Sequence, residues 1–579
     1  MLRRVVTGAL LASLAAAFAG PASASTQVLM PNVSYARKVQ FTAHGPVVMH
    51  IITAPRPGGL YQLKPLLSNG TILGTERVTT MQKNVSGSAT VAGVNGDLFN
   101  FKDGHPTGML MQDGVLQSPP YRFRSSIGIT ADGRLNVGRV GFFGYWQGLG
   151  QRRPLTGLNQ PPRGDGTSLF TPAYGAATPR IPGAVEAVLP QFPPAVPGDE
   201  LSGVVSLQRT GGGTPIPRAG AVLLARGSQV SKLQQEGPVG TSLVTRLILS
   251  PDWPASGVRD ALGGGPVIVR NGRAVWTAGE DFLPTQLGPR HPRTAVGQRR
   301  DGKIVLLAVD GRRRGYSVGM TNWELAQAMV RLGAVNASAL DAGGSTTMAF
   351  DGKLLNRPSD PGGERAVAET LAVLYAGVYA PLPATPVLSP NGDGVAERQQ
   401  LAYKVVQPST VTASLVGPGG VTAFTETNTR TPGVYTYAWP SAARRLQDEP
   451  LGRWRWVVSA EDADGRRSSV ERAFWLNDTL GFMKVSPRAV RLRPRSRKAV
   501  VARFRLAYTA RVTPSIWTTY GVLIRKLPTR TLAPGSRAIS WNGRFANGRL
   551  VYRGTYVFKI FARNAFGPVD LNQRFSIRR

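Results

Sequence analysis

Strand-length apolar runs, broken by Asn-Gly and Asp-Gly pairs, fill residues 26–380. They include TILGTERVTT, ATVAGVNGDLFN, GMLMQDGVLQ, SSIGITADGRLNVG, GGPVIVRNGRAV, KIVLLAVDG and AETLAVLYAG. Each run ends where the backbone can enter a tight turn, which is the punctuation of a β-rich chain. One segment departs from it. TNWELAQAMVRLGA begins at Thr321 with Glu324 three residues later, the capping-box spacing. Leu325, Met329 and Leu332 follow on one face, and Gly333 closes the helix.

A Pro/Gly-rich linker at 381–394 ends this region, and alternating runs such as LAYKVVQ, TVTASLVG, WRWVVSA and TYVFKIFA follow. The tail repeats itself at an offset of 102 residues: Trp439 with Trp541, Gly452 with Gly554, Trp454 with Tyr556, Trp456 with Phe558, Gly465 with Gly567. The expected fold is therefore multidomain. An α+β, β-rich mixed domain of catalytic type spans 25–380, with an insert at about 145–250. Two small β-sandwich modules follow at 395–478 and 484–579.

Residues 1–24 read as a secretory signal peptide, with Arg3 and Arg4, an apolar stretch from Val5 to Phe18, and Ala22-Ser23-Ala24 as the cleavage site. The expected location is secreted or envelope-associated. The chain has no cysteine and four histidines, His44, His50, His105 and His291, which excludes thiol chemistry and the usual zinc spacings. Its net charge is +36, and residues 484–579 hold 22 Lys or Arg against one acid, Asp570. Such a field attracts polyanions. Behind a signal peptide the expected partner is an anionic envelope polymer or lipid surface rather than nucleic acid.

Four polar clusters carry the candidate chemistry: Asn95 and Asp97 in GVNGDLFN; His291, Arg293 and Thr294 in HPRTAVG; Asp310 with Glu324; and DAGGSTT, with Asp341, Gly343, Gly344, Ser345 and Thr346. Each also has a plain reading. Asn95-Gly96 and Asp310-Gly311 suit ordinary turns, Glu324 suits the cap of its own helix, and Arg293 suits an exposed surface. Asp97, Asp310 and Asp341 are candidate oxygen ligands for Ca²⁺. GGGPVIV lacks the lysine of a phosphate-binding P-loop, and SPNGDGVAE resembles a calcium loop but is too short for an EF-hand.

GVNGDLFN, GGGPVIVRNG, RTAVG, ELAQAMVRLGA and LDAGGSTTMAF together resemble the phosphodiester glycosidase family, over roughly 85–376. Ala342 stands where members more usually have glycine. WNGRFANGRLVYRGTYVFKI resembles the Ig-like module of flagellar hook-capping proteins, so the two tail modules are expected to be Ig-like. The first resemblance implies hydrolysis between a sugar's anomeric carbon and a phosphate, with a phosphate-linked glycan as substrate. A phosphomonoester has a second pKa of about 6 and leaves with little protonation. The work then falls on holding phosphate, activating water and stabilising a cationic sugar. Arg293 is the candidate clamp, with Thr294, Asn95 and His291 beside it, and Ser345, Thr346 and the Gly343 and Gly344 amides complete the cradle. Asp341 or Asp97 is the candidate base, with Glu324 in reserve. Two other readings stand: a non-catalytic protein that binds envelope glycan or phosphopolymer, and a phosphodiesterase that cleaves the P–O bond.

Overall fold

Continuous apolar runs of six or seven residues become strands buried on both faces. In the computed structural model, which describes residues 25–162, 164–276, 279–440, 448–493 and 498–578, this holds for Thr90–Asn95, Ile304–Val309 and Glu369–Tyr375. The chain divides into two units, one ending at Ala376 and one beginning at Gly377.

The first unit is built on an eight-stranded antiparallel sheet. Its order is Ser25–Met30, Val33–Thr42, Gly45–Ala54, Ile304–Val309, Arg293–Arg299, Ala334–Ala339, Val267–Arg270 and Arg273–Ala274. Helix Asn322–Arg331 covers one face, and its Leu325, Ala326 and Met329 share a buried cluster with Ile51, Val305, Leu307 and Ala337. Burial of a side chain such as Leu325 contributes about 1.5–3 kcal/mol. The capping box is formed: Glu324 N–H donates to Thr321 Oγ1 at 3.1 Å, and Thr321 N–H to Glu324 Oε2 at 2.9 Å. Gly333, with φ +87°, turns the chain out of the helix. Three shorter helices, Val78–Asn84, Gln229–Glu236 and Pro284–Leu287, also form. Arg77 and Ser228 make no side-chain cap bond, so the first two announce themselves poorly in sequence.

A five-stranded sheet runs Lys353–Leu354, Met348–Phe350, Thr90–Asn95, Glu369–Tyr375 and Tyr61–Leu67. The stretch read as an insert, 145–250, is not a body apart. Its Trp146, Leu169, Leu223 and Leu247 are buried in one cluster with Met109, Met111 and Val258, which flank it in sequence.

In the second unit the strands alternate buried and exposed residues, as in Gly452–Asp462 and Ser409–Val416. Two cores form. One holds Trp439, Trp454, Trp456 and Phe474, the other Trp541, Tyr556, Phe558 and Phe575. Strands Gly433–Trp439 and Gly452–Asp462 recur at Gly535–Trp541 and Gly554–Asn564, the 102-residue offset of the sequence repeat. Inside the expected linker, Val387–Leu388 is a strand pairing in parallel with Trp475 and Leu476. In the calcium-like loop, Glu397 Oε1 accepts the Gly392 and Gly394 N–H groups and Asp393 accepts those of Val395 and Phe482, so these carboxylates shape the turn.

No helix among the described residues is long and apolar enough to cross a membrane. The segment read as a signal peptide lies outside the described residues.

Candidate functional site

Antiparallel order brings distant segments to one edge. Arg293 opens its strand opposite Val309, so Asp310 emerges beside it, and Ala295 faces Ala339, just ahead of Asp341. In the neighbouring sheet Thr370 pairs with Asn95, which sets Glu369, at the start of its strand, near Asp97. The two edges are fastened together. Asp341 N–H donates to Gly96 O at 3.1 Å, and the Asn95 amide donates to Asp341 O at 2.9 Å.

At this edge lies a cavity of about 230 Å³, lined by His291, Arg293, Arg312, Asn322, Phe282 and Asp341, among others. Arg293 is 4% exposed, and no carboxylate pairs with it among the described residues. Its Nε donates to Met320 O at 3.1 Å and its Nη2 to Pro289 O at 2.9 Å. Burial and the neighbouring Arg312 bring its pKa down to about 10, so it stays protonated at neutral pH. A buried guanidinium without a counter-charge is costly, and an anion in the cavity would offset that cost. Arg312 is exposed and held at φ +57°, a backbone state unusual for a residue with a side chain. Its Nε and Nη2 both stand 3.4 Å from His291 Nδ1. Burial, then Arg312 and Arg293, hold the His291 imidazole below its usual pKa.

Three carboxyl groups gather around this edge. Asp341, partly exposed on the cavity wall, is raised above the ordinary range by burial, against opposing pulls from Ser345, the Ala342 N–H, Arg365 and Arg124. Asp97 is 2% exposed and Glu369 1%. Burial pushes Asp97 to about 6. Burial and the Asp97 charge push Glu369 to about 8. No side chain among the described residues hydrogen-bonds either Asp97 oxygen, and only Arg124 and the Leu98 N–H pull against the burial. A Cβ on Gly108 or Gly263 would run into Asp97 Oδ2, so those two positions must be glycine for the carboxylate to fit. Arg124, 8% exposed, holds Nη1 4.0 Å from Asp97 Oδ1 and lies over the rings of Tyr121 and Phe282.

Several residues expected in the site hold it together instead. Asn95 is fully buried, and its Oδ1 accepts from Thr294 Oγ1 at 2.8 Å and Thr347 N–H at 3.1 Å; Thr294 is consumed by that bond. Gly343 N–H donates to Pro292 O at 2.9 Å, so it offers no donor to a phosphate cradle. Gly344 gives room to Arg365 and Asp360, which a Cβ would strike. Ser345 is buried with Arg365 Nη1 3.5 Å from its hydroxyl, and the Thr346 hydroxyl is buried without a partner among the described residues. Glu324 serves its cap and an ion pair with Arg290, and does not line the cavity, so it is no reserve base. The Nε and Nη2 groups of Arg293 are engaged by backbone carbonyls. Arg293 contributes charge, while Arg312 has N–H groups nearer solvent.

The three aspartates considered for Ca²⁺ do not form one ligand set. Asp310 Oδ2 binds His50 Nε2 at 3.0 Å and Tyr316 Oη at 2.8 Å, and Oδ1 accepts from the Asn356 amide at 3.1 Å and the Arg357 N–H at 3.0 Å. Burial alone would raise this carboxyl, but those partners hold it below the usual range. The Asn356 amide also reaches Thr346 O at 3.1 Å, so Asp310 buttresses the loop after Asp341. Among the described residues no three His, Cys, Asp or Glu side chains gather as a metal cluster.

Glu369, Arg124, Arg312 and Arg365 were not anticipated. The signal for Glu369 was an acid at the head of an otherwise apolar run, ETLAVLY.

Residues 201–374 match the family model for phosphodiester glycosidase. The match starts inside the supposed insert and leaves out GVNGDLFN. The SPbeta prophage-derived uncharacterized protein YomE of Bacillus subtilis (strain 168) is 45% identical over 89 residues, 15% of this chain and 14% of that protein. The N-acetylglucosamine-1-phosphodiester alpha-N-acetylglucosaminidase of Bos taurus is 44% identical over 68 residues, 12% of each. The chain thus spans well under two thirds of these curated relatives. The crystal structure of a hypothetical protein from Synechocystis superposes with a TM-score of 0.52 and 26% identity, over 62% of this chain and 64% of that one. The first unit thus has partial homology to the phosphodiester glycosidase family. The likeness of the tail to hook-capping modules finds no support among these proteins.

Proposed function

We propose that this protein is an exported hydrolase that cleaves a sugar-1-phosphodiester at the anomeric carbon. The observation that carries the reading is Arg293, a buried cation with no carboxylate partner among the described residues, in the same cavity wall as Asp341. Phosphate oxygens sit against Arg293, Arg312 and His291. The sugar extends past Asp341, where the Asp97 charge lies behind a cationic transition state. Water adds its oxygen to the anomeric carbon. The carbon–oxygen bond to phosphate breaks, and its electron pair stays on the phosphate oxygen. The water proton passes to Asp341, whose proton affinity burial raises above that of an ordinary carboxylate. The products are a reducing sugar and a phosphomonoester. The partial family match over 201–374 supports the same chemistry. In this reading the two cores of the second unit are Ig-like modules. The last of them holds the protein at an anionic envelope, where phosphate-linked glycans are the substrate.

The test is turnover of a soluble sugar-1-phosphodiester in ¹⁸O-labelled water. Label at the anomeric carbon supports the proposal, and label in phosphate identifies P–O cleavage instead. Tight binding without turnover identifies a glycan-binding protein.

A further inference from the structure

That account uses the Asp97 charge but leaves Glu369, buried beside it, without a role. Asp97 N–H donates to Glu369 Oε1 at 3.1 Å, and Gly96 N–H donates to Glu369 O at 2.8 Å. The remaining oxygens, Asp97 Oδ1 and Oδ2 and Glu369 Oε2, are buried without a side-chain hydrogen-bond partner among the described residues. Gly96 leaves space for the Glu369 side chain, as Gly108 and Gly263 do for Asp97. Two ionised carboxylates in such a place would repel each other in a low dielectric, and neither would recover its lost hydration. One proton between them removes half the charge. The charged groups facing the pair are Arg124, 4.0 Å from Asp97, and Asp341.

We propose that Asp97 and Glu369 share one proton and act as a positioning pair for Asp341, which makes Glu369 part of the reaction machinery. The role for Asp341 rests on the hydrolase reading; the shared proton does not. Burial raises both carboxyls, and the Asp97 charge raises Glu369 further, so the pair keeps one proton and one negative charge. The Asp341 carboxylate in turn raises Asp97, so the pair and Asp341 are coupled through charge. Gly96, whose carbonyl receives the Asp341 N–H, directly precedes Asp97 and donates its own N–H to Glu369 O. When Glu369 also ionises, repulsion within the pair disturbs this turn and the cavity wall it anchors.

The full-length protein is compared with Glu369→Gln and Asp97→Asn. Infrared difference spectra at pH 7 should show the carbonyl stretch of a protonated carboxylic acid in the wild type, lost in Glu369→Gln. In Asp97→Asn the band should disappear at lower pH, because the charge that raises Glu369 is gone. Stability gives a second reading free of turnover. The folded pair keeps a proton that the unfolded chain gives up above about pH 4.5. Wild-type stability should therefore fall as pH rises from there through about 8, and Glu369→Gln should flatten that slope. With a soluble sugar-1-phosphodiester, kcat of the wild type should drop about tenfold one unit above the Glu369 pKa, and the drop should be absent in Glu369→Gln. A band unchanged in Glu369→Gln, coincident stability profiles, or a stoichiometric divalent cation lost with Glu369 would overturn the shared proton. Coincident kcat profiles would overturn the link to Asp341. A wild type without turnover overturns the hydrolase reading and the role for Asp341 with it, while the band and the stability slope still decide the pair.

Discussion

Asp341 and Arg293 make different demands at the level of single residues. Asp341 lines the cavity, and its backbone is held by Gly96 and Asn95. Asp341→Asn keeps the shape and removes the charge, so the rate should fall about 10²-fold or more with little change in melting temperature. Steady-state turnover and a thermal melt on the same preparation check this; equal activity removes Asp341 as base. Arg293 is a structural cation as well as a ligand, because its N–H groups bind the Met320, Leu287 and Pro289 carbonyls. Lysine cannot reproduce that planar fork. Arg293→Lys should raise KM by about tenfold, equivalent to about 1.4 kcal/mol of binding, and should also lower the melting temperature. An unchanged KM would show that the cavity does not take an anion at this residue.

At the level of elements, the site depends on close approach of loops. Asp97 fits because Gly108 and Gly263 lie against one of its oxygens, and Gly263 closes the strand Val258–Gly263. Adding one methyl there forces the carboxylate or the Gly108 backbone to move. Gly263→Ala should therefore cost about 1–3 kcal/mol in a denaturant titration and should reduce turnover together with stability. Full stability would mean that the carboxylate can turn elsewhere without penalty. The helix Asn322–Arg331 was legible to its first residue, since Thr321 and Glu324 form the box that their spacing announces. The same legibility misled about function. Glu324 completes the cap and pairs with Arg290, and it is not among the residues lining the cavity.

For the whole molecule, the excess of basic residues in the last 96 positions has a structural cost. Arg511 lies directly across from Arg563, and Lys484 across from Arg503; all four are exposed without an acidic partner among the described residues. Like charges placed opposite one another across strands destabilise a sheet. If a polyanion is the partner, Arg511→Gln/Arg563→Gln should raise stability at low salt and weaken retention on anionic envelope fractions. Wild-type retention should itself fall steeply with salt, because exposed charges are screened beyond about 8 Å at physiological ionic strength. Retention equal to wild type at low salt would leave the charge excess without this role.

Local order was written in the sequence. Apolar runs between Asn-Gly and Asp-Gly turns gave the strands, a cap gave the helix, and a 102-residue repeat gave the paired strands of the tail. DAGGSTT was legible as an irregular segment because glycine and hydroxyl side chains favour neither helix nor core strand. What each polar residue does was settled only by pairing across the fold. Asn95 meets Asp341 and Thr347, and Asp97 meets Glu369, across separations that no local pattern encodes. The physical reason is antiparallel register. It sets the end of one strand beside the start of another, so the charge, burial and proton affinity of a site residue depend on neighbours hundreds of positions away.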